Sequence, residues 1–188
     1  MTAPDFPQTR LALRVWQFNR PRLALQSLNA PKGASWMAIA MAGPQGDWPR
    51  RLALTAHCTK GEKAKHDDPV PGEECTCGIY ATTDLDIINS YLSPGAPVLG
   101  VVELGGRIIP ATKGYRAEYA RIAVILAIND ALTEPHAVLR KVADAYSVPV
   151  VVPHSADPED YREIAGTPSL AAETEAWLKG QGAGGTGA

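Results

Sequence analysis

Val98-Leu99-Gly100-Val101-Val102-Glu103-Leu104-Gly105-Gly106-Arg107-Ile108-Ile109-Pro110-Ala111 is the stretch that decides the fold. Apolar, mostly β-favouring residues flank a diglycine at its middle. Local pattern makes this a β-hairpin, with residues 98–104 going out, Gly105-Gly106 as a two-residue turn, and residues 107–111 returning. Pro110 puts the return strand at an edge or a bulge, because proline has no N–H to give to a ladder. A hairpin at the centre of the chain sets the expectation for the whole: α+β, with a mostly antiparallel sheet that could curl into a barrel, and flanking helices.

Working outward, residues 11–18 make a strand in which Leu11, Leu13 and Val15 alternate with Ala12, Arg14 and Trp16. Residues 22–28 alternate in the same way after a break at Asn19-Arg20-Pro21. Residues 35–42 are an apolar run too short to classify. Residues 51–58 are expected as a strand that shows Leu52, Leu54, Ala56 and Cys58 on one face, with His57 opposite. Residues 115–128 are ambiguous, helical in the first half or strand-like in the second. A helix is expected from Thr83 to Leu92, where Thr83 and Asp86 have capping-box spacing and Leu85, Ile88 and Leu92 form a stripe. A second is expected from Thr133 to Tyr146, with Pro135 in its first turn and Val138, Leu139, Val142 and Tyr146 on one face. Residues 148–152 make a short buried strand, residues 169–179 a last helix, and 180–188 a glycine-rich tail. The expected organisation is a strand-rich N-terminal extension (1–46) packed on an α+β core (47–153), then a helical extension (154–179) and the tail.

Composition narrows the function classes. In 188 residues the net charge is −2 and 45% are hydrophobic, so the chain can bury a core and carries no global basic field for nucleic acid. Arg10, Arg14, Arg20 and Arg22 gather near the N-terminus, and alternating arginines on a strand ordinarily mark its solvated face. No run approaches the roughly 20 apolar residues of a membrane span, and residues 1–10 lack the apolar centre of a signal peptide. The expectation is a cytoplasmic protein with no membrane partner.

All three cysteines, Cys58, Cys75 and Cys77, fall in one short stretch together with His57 and His66. Where thiols stay reduced, clustered cysteines bind metal more often than they pair, and an odd count agrees. Residues 59–74 have little apolar surface with which to order themselves, and a bound cation would supply an anchor. The best ligand set is Cys58, His66, Cys75 and Cys77, a Cys3His shell for zinc. The one-residue Cys75-Thr76-Cys77 spacing is short for a zinc knuckle. Ordinary reduced cysteines and redox chemistry between Cys75 and Cys77 are the other readings, and iron–sulfur ligation would want a fourth cysteine.

The run Glu74-Cys75-Thr76-Cys77-Gly78-Ile79-Tyr80-Ala81, with Val98-Leu99-Gly100-Val101-Val102 and Gly114-Tyr115-Arg116-Ala117-Glu118-Tyr119-Ala120, resembles a family of small, uncharacterised proteins from actinobacteria and their phages. Trp48-Pro49, Cys58, His66 and Pro69 resemble its upstream pattern, and Val148-Pro149-Val150-Val151 its C-terminal end. The likeness covers residues 48–152. It implies one integrated domain and carries no activity.

Tyr115, Arg116 and Glu118 stand beside a glycine turn and form a candidate binding patch in which Arg116 holds a phosphate or carboxylate, or simply pairs with Glu118 or another acid. His154, Ser155 and Asp157 follow a buried strand, but Asp157-Pro158-Glu159-Asp160 is ordinary turn chemistry. No G-x-S-x-G, phosphate-binding glycine loop or H-E-x-x-H is present. The expected function is a zinc-stabilised module that binds a nucleic acid or a protein. The alternative is an enzyme, a metal-dependent hydrolase or a thiol redox catalyst using the same cluster.

Overall fold

The computed structural model describes residues 9–27, 47–58, 69–92, 97–128 and 134–165. Among the described residues seven strands and two helices give an α+β fold: β1 (Arg10–Asn19), β2 (Ala24–Ser27), β3 (Leu54–Thr55), β4 (Ile79–Ala81), α1 (Leu85–Tyr91), β5 (Val98–Ala111), β6 (Gly114–Leu126), α2 (His136–Tyr146) and β7 (Val150–Val151). The sheet runs β2-β1-β5-β6, and three short strands, β3, β4 and β7, line the outer edge of β6. Every pairing is antiparallel except that of β7, which runs parallel to β6. The sheet is open, so it resembles a barrel only loosely. Its two sides touch at an isolated bridge, where Leu13 N–H donates to Thr82 O at 2.7 Å and Thr82 N–H to Leu13 O at 2.9 Å.

The diglycine hairpin is corrected. Residues 98–111 are one continuous strand, and the chain reverses at Thr112-Lys113 instead, before β6. Gly105-Gly106 forms a bulge, seen as a register shift between Gly105 and Ile108 against β6. Gly106 has φ +70°, and a Cβ there would lie 2.6 Å from both Glu118 Oε2 and Tyr119 Cδ2. The second glycine therefore answers to close approach and backbone hand, not to a turn. β1 leaves β5 at Leu104, so Pro110 lies where β5 is an edge, as its missing N–H demands. The ambiguous stretch 115–128 resolves as strand through Leu126.

Both faces of the sheet carry core. Ala12, Trp16, Ile79, Val102, Leu104 and Ile108 face one apolar cluster, and Leu11, Leu13, Val15, Leu99, Val101 and Val124 face the other. α2 covers the first with Leu139, Val142, Ala143 and Tyr146, each large side chain contributing about 1.5–3 kcal/mol. α1, through Ile88, and Tyr161 cover the second. Residues 11–16 of β1 are thus buried on both sides, and this overturns the solvated face for Arg14, while Arg20 and Arg22 past the strand are exposed. Arg14 is 0% exposed and sits over the Trp48 ring at 5.0 Å, with Nη2 donating to Ser27 Oγ at 3.1 Å and Nη1 to Tyr80 O. Burial pulls its pKa down to about 9.

Local ends differ slightly from the pattern. α1 is capped by Asp84, one residue after Thr83, with Oδ1 accepting from Asp86 N–H at 2.9 Å and Ile87 N–H at 3.4 Å. α2 ends on Ser147 at φ 57°, whose N–H returns to Ala143 and Asp144 carbonyls. The strand expected over 51–58 shrinks to Leu54–Thr55, and Leu52 is 67% exposed. Thr133, residues 35–42, the helix expected over 169–179 and the tail lie outside the described residues.

Candidate metal centre

The outer edge of β6 brings the cysteines together. β3 lies along it with Leu54 opposite Ala120 and Thr55 opposite Tyr119, and Ala56 N–H donates to Glu118 O at 2.8 Å. β4 takes the next positions, Ile79 opposite Ala117, Tyr80 opposite Arg116 and Ala81 opposite Tyr115. The chain leaving β3 and the chain entering β4 therefore meet head to tail on one edge. Cys58 lies two residues past Ala56, and Cys77 two before Ile79. Both must turn off the edge at the same place, and Cys75 folds back onto them. The three Sγ atoms lie within 4.8 Å of one another, which is a group that could hold a metal ion.

One distance bears on fit. Cys58 Sγ and Cys75 Sγ are 3.8 Å apart. Two thiolates each about 2.3 Å from one zinc at the tetrahedral angle stand about 3.8 Å apart, so no rearrangement of this pair is needed. Cys75 is buried, Cys58 and Cys77 half-buried. Without a cation, three charged sulfurs this close would repel, and the protein keeps at least one protonated: burial pushes the Cys77 thiol up to about 11, Cys75 and Cys58 add to the rise, and the Gly72 N–H, 3.3 Å from Cys77 Sγ, opposes it. The donor set suits a soft or borderline cation.

The loop carrying two of these sulfurs is tied down by its backbone. Arg116 Nη1 donates to Gly72 O at 3.2 Å, to Cys77 O at 3.3 Å and to Cys75 O. Arg107 reaches Pro69 O at 3.4 Å and pairs with Glu73 at 3.3 Å. Tyr80 OH donates to Thr76 O at 2.8 Å, and burial raises its pKa. The glycine of Cys75-Thr76-Cys77-Gly78 has φ +120°, and a Cβ there would lie 3.0 Å from Pro71 Cβ and 3.3 Å from Arg116 Cβ. It lets the loop close down on the arginine.

Of the residues singled out from sequence, Cys58, Cys75 and Cys77 converge. His66 lies outside the described residues. His57 is exposed and does not belong to the group. Tyr115 packs at the margin of the first core cluster. Glu118 accepts from Arg107 N–H at 3.1 Å, and burial together with its carboxylate pushes the pKa of the neighbouring Tyr119 up to about 12. Neither the ion pair foreseen for Arg116 nor a free guanidinium describes what it does at Nη1, which is to gather carbonyls. Sequence reasoning missed Arg107, Glu73 and Gly72 altogether. The pairing of Ile79-Tyr80-Ala81 with Tyr115-Arg116-Ala117 was the signal that could have found them.

The remaining constellations are structural. Asp157 caps the turn Pro158–Tyr161 by accepting from Glu159 N–H at 2.9 Å, and exposed His154 lies 4.8 Å from the Tyr161 ring. A cavity of about 150 Å³ opens beside Arg51, Leu52, Arg121, Tyr146, Ser147 and Val148, and none of the cysteines lines it. Among the described residues no helix is long and apolar enough to cross a membrane. No family model, no curated protein and no solved structure matches the chain, so the metal centre stands on the geometry of its own three sulfurs.

Proposed function

We propose that the protein is a zinc-stabilised binding module in which Cys58, Cys75 and Cys77 hold the ion and His66 completes the shell. The convergence of three sulfurs within 4.8 Å, from two segments that the sheet edge brings together, carries this reading. Zinc suits a Cys3His set, and a closed four-ligand site contributes folding energy instead of chemistry. The ion would fasten the loop on the side facing the core, while Arg116 fastens its carbonyls. The partner is a nucleic acid or a protein taken by the outward side of that loop, which Arg116 holds in place, together with Tyr115 and Glu118 on the adjoining strand. A reducing, cytoplasmic setting fits three cysteines that form no disulfide.

Elemental analysis of anaerobically purified protein, with X-ray absorption to count sulfur and nitrogen donors, tests the reading. One zinc with three sulfurs and one nitrogen supports it. A metal-free, fully folded wild type overturns it. Three sulfurs with an exchangeable water would favour the hydrolase instead, since catalytic zinc keeps a position open.

A further inference from the structure

We propose that a hydroperoxide closes Cys58 and Cys75 into a disulfide and thereby expels the metal, which makes the centre an oxidation-responsive clasp. This rests on the metal reading for the expulsion and on geometry alone for the bond. Cys58 Sγ and Cys75 Sγ are 3.8 Å apart. A bonded pair stands about 2.05 Å apart, so less than about 2 Å of approach is needed. The two sulfurs come from different segments, and only Cys75 sits in the part of the loop fixed by Arg116.

Both competing pairs use Cys77, and Cys75 with Cys77 is worse placed. A single residue between two cysteines makes a strained ring. The same guanidinium nitrogen holds the carbonyls of both, so neither peptide can rotate to relieve it. Cys77 Sγ is also engaged by Gly72 N–H at 3.3 Å. Exposure orders the steps. Cys58 is half-buried and Cys75 only 7% exposed, so peroxide meets Cys58 first.

The chemistry balances. The Cys58 thiolate attacks one oxygen of hydrogen peroxide, the O–O bond breaks, hydroxide leaves, and Cys58 becomes a sulfenic acid. The Cys75 thiolate then attacks that sulfur, the S–O bond breaks, a second hydroxide leaves, and the S–S bond forms. Two electrons pass from the two thiolates to the peroxide. The ion has lost two thiolates and is released, and Cys77, no longer a ligand, takes a proton from water and becomes a thiol.

The test uses the full chain loaded with zinc, desalted and exposed to hydrogen peroxide beside a chromogenic zinc chelator, then digested without reductant. Trypsin cuts after Lys60 and Lys65, which separates the Cys58 peptide (52–60) from the one that holds both Cys75 and Cys77 (66–107). The expected product is a cross-link between those peptides, formed in step with zinc release. It should persist in reduced Cys77→Ser and fall to background in Cys75→Ser. Loss of two hydrogens within peptide 66–107, or a link that survives Cys75→Ser and not Cys77→Ser, overturns the pairing. A cross-link formed while zinc stays bound overturns the expulsion. Should the wild type bind no zinc, the metal reading fails by that measurement, and the same digest on the metal-free chain still decides the disulfide.

Discussion

Replacing Arg116 with alanine removes a guanidinium nitrogen that three carbonyls share, Gly72 O at 3.2 Å, Cys77 O at 3.3 Å and Cys75 O. That nitrogen has two hydrogens, so at most two full hydrogen bonds are lost. Charge-assisted bonds contribute about 1.5–3 kcal/mol each, which sets a ceiling near 6 kcal/mol. The real loss is smaller, because water can reach a half-buried loop and Gly72 O keeps the Cys75 N–H at 3.3 Å. A loss of about 2–3 kcal/mol in urea-melt stability is the expectation. Two of the three sulfurs ride on this loop, so the cost also falls on the metal. If about 2 kcal/mol of loop ordering must be supplied by binding, zinc affinity drops about thirty-fold. Competition against a chromophoric chelator measures that directly. Arg116→Lys should rescue little, since a single ammonium cannot reproduce the planar donor. Unchanged stability and unchanged zinc affinity, with weaker partner binding, would refute this account and return Arg116 to the partner.

The purified chain should hold about one zinc, and Cys77→Ser should lose it, as read by elemental analysis. Cys77 also predicts a pH response of the chelator-treated protein. Its folded pKa, about 11, exceeds the ordinary thiol value of 9.0, so stability is full below pH 9 and falls as pH rises through 11. Urea melts across that window check the sign, and a flat profile contradicts it. Zinc affinity should move oppositely, rising with pH because binding displaces the thiol protons. Finally, two glycines rank by what a methyl group would strike. At Gly114, with φ +145°, it meets backbone, Ala81 O at 2.2 Å and Thr82 Cα at 2.6 Å. At Gly106 it meets side chains that can shift. Gly114→Ala should cost about 3 kcal/mol or more and Gly106→Ala less, and thermal melts showing the reverse order would discredit the argument.

The cysteine cluster was legible because residue type and clustering alone nominate metal chemistry. So was α2, whose apolar stripe is local. The diglycine was not, because two glycines satisfy a turn and a bulge equally well. What decides between them is the Glu118 carboxylate and the Tyr119 ring across the ladder. Arg14 misled for a similar reason. An arginine alternating with leucine signals a wet face unless Ser27, Trp48 and Tyr80 supply a dry polar one, and only the fold brings those three together. Arg116 lay within the right motif, yet its role depends on the β4–β6 register, which spans about 36 residues of chain.

The place of β1 has a consequence during synthesis. Its partner on β5 lies about eighty residues downstream, Val98 opposite Trp16. At roughly 5–20 residues per second, β1 waits about 4–16 s for the strand that completes it. Through that interval a ten-residue segment, destined for burial on both faces over residues 11–16, is exposed without its mate, which is the usual setting for adventitious β-pairing between nascent chains. Arg14 stands at the middle of it. The guanidinium that is costly to bury in the finished sheet is hydrated and charged in the unpaired strand, and a charge at that position opposes β-pairing between chains.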